Sequence, residues 1–348
     1  MRRHHKALTR AAATAIVAGT AAFGLMADTA PASAADANWK MHIVWVPARP
    51  EAQAYQTFVD TVNENAGDAL QIQLFPSGSL GVKDADMLRF LPRGNIIQAA
   101  GLYPGYLTRD KPQYAFTLPP GVVSQPEMLQ EILPELSEIY GETYDEAGIE
   151  LLGFVGHAVR DTHIMCKEPV NTLDELRGKK VRVWEQFHVD VFKKLGVSAQ
   201  IVGQNDLYVA MQTGVVDCAV YPIGLAVTVS LQEVAPYASY LFPYVLHPLN
   251  ILASKTAFDA LPPETQEIVR DAAKKAEAES FEAYLSGVND KKALEVFEAD
   301  GGTLLDPFPE ADQQAFVDAA RETWKELADG GGEAAQANYE TISNAINK

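Results

Sequence analysis

Residues 173–222 read LDELRGKKVRVWEQFHVDVFKKLGVSAQIVGQNDLYVAMQTGVVDCAVYP, and the hydrophobic period changes repeatedly along them. Leu173 to Leu176 predicts a short helix, Lys180 to Trp184 a strand, and Glu185 to Leu195 a helix. Asn205 to Thr213 predicts a helix stopped at Gly214, and Val215 to Tyr221 another strand. Strands separated by helices instead of tight turns predict an α/β unit. Arg182 and Trp184, two residues apart on one strand, share a face, while Val181 and Val183 point the other way. A tryptophan is a poor choice for solvent, so the shared face is expected to be covered.

The same alternation extends upstream. Lys40 to Val46 reads as a strand, Glu51 to Asn65 as a helix with Phe58, Val59 and Val62 on one face, and Ala69 to Phe75 as the next strand, closed by Pro76-Ser77-Gly78. A helix around Lys83 to Leu91 and a buried strand within Asn95 to Leu102 follow, and Leu118-Pro119-Pro120-Gly121 breaks the chain. A second block opens at Ile149 to Val159 and runs extended to Cys166. Near the C-terminus, Pro262-Pro263-Glu264 is a helix start. From there to about Ala299 the only glycine is Gly287, which allows about 55 Å of helix at 1.5 Å per residue. That helix either breaks at Gly287 or runs across two lobes as a spine.

The first residues predict the compartment. Arg2, Arg3, Lys6 and Arg10 precede an apolar run from Ala11 to Met26, closed by Ala32-Ser33-Ala34. This is the layout of a secretory signal peptide, expected to be removed to give a periplasmic protein starting at about Ala35. Losing four basic residues and one acid takes the formal charge from -18 to about -21. So acidic a chain is a poor nucleic-acid partner. Roughly 310 residues beyond the leader exceed what one hydrophobic core organises, so two lobes are expected. Cys166 and Cys218 can pair. Both sit in apolar, strand-like runs, which favours two unpaired, packed thiols.

Templates for chemistry fail. Ser77-Gly78-Ser79-Leu80-Gly81 has the wrong spacing for a nucleophile elbow. His42, His157, His163, His188 and His247 lack metal-pair spacing, and neither phosphate-binding glycine fingerprint is present. Glu131, Glu135 and Glu138 read as a solvated helix face. No catalytic residues, metal or cofactor are expected, and a binding protein is favoured over a secreted enzyme.

DELRGKKVRV at Asp174 to Val183, KLGV at Lys194 to Val197 and LYVAMQTGVVD at Leu207 to Asp217 resemble the signature of the DctP-like solute-binding subunits of tripartite ATP-independent periplasmic (TRAP) transporters. FPSGSLG at Phe75 to Gly81 and the Phe116-Thr117-Leu118-Pro119 bend resemble further parts of that pattern in the same order. The resemblance implies a two-lobed periplasmic-binding-protein fold with a ligand cleft between the lobes and a long helix spanning both. Lobe one would hold residues 36–158 and 248–288, and lobe two 159–247 and 289–348. The implied function is capture of a small organic acid for delivery to TRAP permease subunits, by a protein expected to be monomeric. The alternative is the same fold serving as a ligand-loaded sensor for a membrane receptor.

By position, Arg182 corresponds to the arginine with which resembling proteins grip the ligand carboxylate, a task suited to a guanidinium fork. The second arginine of the pattern falls at Thr162, and Arg160, one strand period earlier, is the candidate to replace it. Tyr221 stands where sugar-acid binders of the family carry Asn. Trp45, Tyr103, Trp184, Tyr208 and Tyr221 gather near these positions, which suggests a ligand with an aromatic or apolar body. Gln204 could add a hydrogen bond, whereas Asp206 more naturally stabilises its helix N-terminus.

Overall fold

A computed structural model describes residues 37–107, 110, 117–123, 125–243 and 245–347. The expected leader and its Ala32-Ser33-Ala34 site lie outside the described residues, as does Phe116. Eleven strands are present among those described: β1 (Ala37–His42), β2 (Leu70–Phe75), β3 (Ala99–Leu102), β4 (Ile149–Val155), β5 (Asp161–Cys166), β6 (Lys180–Val183), β7 (Ser198–Ile201), β8 (Cys218–Tyr221), β9 (Tyr237–Pro243), β10 (Leu249–Ser254) and β11 (Thr303–Leu304). They form two mixed sheets, ordered β2-β1-β3-β10-β4 and β11-β9-β5-β8-β6-β7. The α/β class expected from the alternating pattern is therefore present, in two sheets.

In the first sheet β1 pairs parallel with β2 and β3. The β1–β2 connection is the helix Pro50–Ala66, whose Tyr55, Phe58, Val59 and Val62 are buried. β10 then inserts antiparallel between β3 and β4, and all six of its residues are buried, as a central strand covered on both faces requires. Gly101 of β3 is a glycine of necessity. A methyl group there would stand 2.5 Å from the Tyr55 ring, whose hydroxyl donates to the Asn250 carbonyl at 3.0 Å.

Three strands of the second sheet, β6, β7 and β8, come from residues 173–222, the stretch quoted first. β6 pairs parallel with β7 and β8, while β5 runs antiparallel to β8 and β9. Arg182 is thereby flanked by Gln200 on one side and Ala219 on the other. One expectation is overturned here. Cys166 and Cys218 are directly opposed across the β5–β8 ladder, with Cα atoms 4.1 Å apart, and form a disulfide. Apolar context does not distinguish a packed thiol from a cross-strand bridge; register does, and register is a long-range property.

The chain passes between the sheets from β4 to β5 and back from β9 to β10. His157 on the first crossing donates through Nε2 to the His247 carbonyl on the second at 2.7 Å, tying the two together. The long C-terminal helix breaks where the glycine stands. Helix Pro263–Ser286 packs on Pro50–Ala66 and β4, ends at Gly287 with φ 62°, and gives way to Val288–Ala299, packed on Ile223–Ala226. The spine is thus two helices joined at a left-handed residue that favours glycine. Helix Glu310–Gly330 packs on Gln186–Lys194 and β9, and the last helix, Glu333–Ile346, returns to Leu133–Glu146. No helix among the described residues is long and apolar enough to cross a membrane.

Candidate functional site

A cavity of about 430 Å³, part of it open to solvent, lies where the C-terminal ends of β3 and β6 face one another. Trp45, Tyr103, Arg182, Trp184, Gln204 and Tyr221 all line it. Six of the eight residues singled out from the sequence therefore converge on one space, and Arg160 and Tyr208 do not.

Arg182 is buried. It is only 1% exposed, and its orientation is set by carbonyl acceptors: Nε donates to Val202 at 2.9 Å and Nη1 to Val220 at 3.4 Å. Its guanidinium carbon lies 5.9 Å from the Trp184 ring centroid and 5.7 Å from that of Tyr221. Aromatic faces attract the cation without neutralising it, so a fixed positive charge stands on an aromatic wall. Gln204 Nε2 donates to the Tyr221 hydroxyl at 2.8 Å.

Arg160 is placed elsewhere. Its Nη2 pairs with Glu127 at 3.0 Å and its Nη1 caps the Leu285 carbonyl at 3.1 Å, while its backbone N–H donates to both Asp290 oxygens. The side chain is drawn to the C-terminal end of helix Pro263–Ser286, where exposed carbonyls favour a cation, and it is not part of the cavity lining. Tyr208 likewise turns away from the cavity and donates to Glu233 at 2.7 Å.

Sequence reasoning missed Arg49, Glu51, Tyr106 and His157. Arg49 and Glu51 flank Pro50 at the start of helix Pro50–Ala66, with Glu51 in its first turn. They form a two-point ion pair, Nε to Oε2 at 3.2 Å and Nη2 to Oε1 at 3.0 Å. Burial pushes the Glu51 carboxyl up, but the Arg49 charge and hydrogen bond outweigh it and hold the group below the usual carboxylate range. Arg49 Nη1 also reaches the Tyr221 hydroxyl, at 3.5 Å. One signal could have found Arg49: it is the only Lys or Arg between Lys40 and Lys83.

The remaining wall is neutral. Burial lowers His157 to about 4 despite its bond to the His247 carbonyl, so the imidazole is uncharged near neutral pH. Burial also raises the Tyr106 hydroxyl, helped by the Asp84 charge. Tyr103 closes the far side, donating across the cleft to both Glu185 oxygens at 3.2 Å. Leu225, Leu249 and Pro222 complete the apolar part. Among the described residues no group of three or more His, Cys, Asp or Glu is placed to hold a metal ion.

Comparison with known proteins agrees with this architecture. The chain is 25% identical to the ectoine/5-hydroxyectoine-binding periplasmic protein UehA of Ruegeria pomeroyi, over 91% of this chain and 87% of that one. It is 25% identical to the C4-dicarboxylate-binding periplasmic protein DctP of Rhodobacter capsulatus, over 92% and 95%. Among solved structures, the TRAP periplasmic solute-binding protein of Sulfitobacter with bound β-D-galacturonate superposes with a TM-score of 0.75 at 25% identity, covering 89% of this chain and all of that one. The Bordetella pertussis receptor DctP7, which binds pyroglutamic acid, gives 0.79 at 19% identity, covering 89% and 99%. The model of the bacterial extracellular solute-binding proteins, family 7, matches residues 41–330, and the chain belongs to that DctP family.

Proposed function

We propose that the protein is the periplasmic receptor of a TRAP transporter, taking a small monocarboxylate with a planar or apolar body into the cleft and delivering it to membrane permease subunits. The observation that carries this reading is Arg182: a buried guanidinium on the cavity wall, fixed by carbonyls and flanked by the Trp184 and Tyr221 rings. Two parallel N–H donors match a carboxylate. The rings of Trp45, Tyr103, Tyr106, Trp184 and Tyr221 offer flat apolar surface to the rest of the ligand.

Similarity to relatives that bind ectoines, C4-dicarboxylates and galacturonate supports a small organic solute. Residues 1–34 are the export signal, removed before the receptor works, and the two sheets belong to lobes that close on ligand, with Arg160 and Asp290 at the hinge instead of in the grip. A thermal-shift screen of the mature protein against small acids tests the reading. A ligand at a hundred times its Kd stabilises by about 2.7 kcal/mol, and a screen in which only polyhydroxylated acids raise the Tm contradicts the planar-body assignment.

A further inference from the structure

The cavity holds an acid of its own. Glu51 is 1% exposed, lines the same space as Arg182, and occupies Arg49 through two nitrogens. We infer that Glu51 is the specificity determinant that sets the charge class of the ligand, acting as a built-in carboxylate on Arg49 so that monoanions are accepted and dianions refused. This rests on the reading of the cleft as a carboxylate site.

The reasoning is a competition. Arg49 and Arg182 are the two guanidinium groups among the described residues of the lining, and a ligand with two carboxylates would be expected to bridge them. To reach Arg49, its second carboxylate must displace Glu51 from a two-point pair. Displaced, Glu51 stays buried beside the incoming charge, because it sits in the first turn of a helix held by Tyr55, Phe58 and Val62. Like charges a few ångströms apart in a water-poor cleft repel far more strongly than in water. Among the described lining residues Arg49 and Arg182 are cations and Glu51 is an anion, with His157 neutral at physiological pH. Glu185, the acceptor of the Tyr103 hydroxyl, is not itself in the lining. A monoanion completes that balance, and a dianion overshoots it. The device is one of exclusion by an unfavourable charge contact.

Calorimetric competition on the full mature chain tests it, with three probe pairs: benzoate and isophthalate, nicotinate and quinolinate, lactate and malate. In pairs that bind, the wild type should prefer the monocarboxylate, and Glu51→Gln should shift the ratio toward the dicarboxylate by about tenfold or more. The double variant Arg49→Gln/Glu51→Gln, which restores the wall charge, should return the preference to the monocarboxylate. Circular dichroism confirms folding, and the wild-type ratio alone tests the claim if a variant does not fold. A wild type that prefers dicarboxylates, or a folded Glu51→Gln with its ratio within about twofold of wild type, overturns the assignment. A wild type that binds no carboxylate at all overturns the cleft reading, and the inference with it.

Discussion

The Tyr221 hydroxyl joins the two halves of the molecule: it accepts from Gln204 at 2.8 Å within the second sheet's half and from Arg49 at 3.5 Å across the cleft. Its ring at the same time faces the Arg182 cation. Tyr221→Phe keeps the ring and removes both acceptor contacts. A hydrogen bond to a charged group contributes about 1.5–3 kcal/mol. The variant should therefore lose about tenfold or more in affinity while retaining its fold, as isothermal calorimetry and circular dichroism would show. An unchanged Kd would contradict the part given to the hydroxyl.

Tyr103 bridges the cleft in another way, donating to Glu185, which also stands 3.2 Å from His188 Nδ1. If the lobes close on ligand as proposed, this contact would help hold them together and would touch the ligand's charge only indirectly. Tyr103→Phe should weaken binding of every ligand by about the same factor, leaving the order of preference intact. A change in rank order among probes would assign Tyr103 to recognition instead of closure.

The Cys166–Cys218 bridge closes a loop with a sequence separation of 52. In the chain-entropy account such a cross-link stabilises by about 4 kcal/mol. Thiol titration of the unfolded, non-reduced protein should find no free cysteine, and reduction should lower the Tm. Two titratable thiols before reduction would contradict the pairing.

Three buried histidines set an acid limit. Burial lowers His157 to about 4, His163 to about 4 and His247 to about 3, the last also through His157. The unfolded chain takes up these protons near pH 6.5 and the folded chain does not, so stability is complete above that value and falls as pH drops toward about 4. Asp290, raised to about 6 by burial, works in the opposite sense, because its folded form holds a proton more tightly. Burial also raises Asp161 and Glu277, in the same sense as Asp290, but the three histidines carry the larger shifts, and each pH unit in the window costs about 1.4 kcal/mol per histidine. Urea titrations at pH 7.5, 5.5 and 4.5 should therefore show a falling unfolding free energy. Equal stability at pH 7.5 and 4.5 would contradict this balance.

What the sequence disclosed follows from how local each signal is. Residues 173–222 were legible because the strand, helix and glycine stop are each written within a few residues, and the face shared by Arg182 and Trp184 follows from strand alternation alone. Trp45 reaches the cavity although β1 ends at His42, four residues before the expected strand does. The insertion of β10 between β3 and β4 was not legible, since pairing partners lie about a hundred residues apart or more and carry no local mark. For the same reason Cys166 and Cys218 looked like separate apolar residues. Arg49 and Glu51 were hidden because their importance depends on where the end of one helix meets the opposite sheet. Arg160 misled because strand periodicity says which residues share a face but not which charge that face meets first, here Glu127 and the Leu285 carbonyl.

The most direct test of the account is calorimetric titration of Arg182→Ala and Arg182→Lys with the best monocarboxylate from the thermal-shift screen. Removing one partner of a buried ion pair strands the other and costs about 3–5 kcal/mol, so affinity should fall by about two to four orders of magnitude. Lysine keeps the charge but cannot offer the planar fork, so Arg182→Lys should also lose most of the binding. Near-native affinity in either folded variant would contradict Arg182 as the carboxylate anchor.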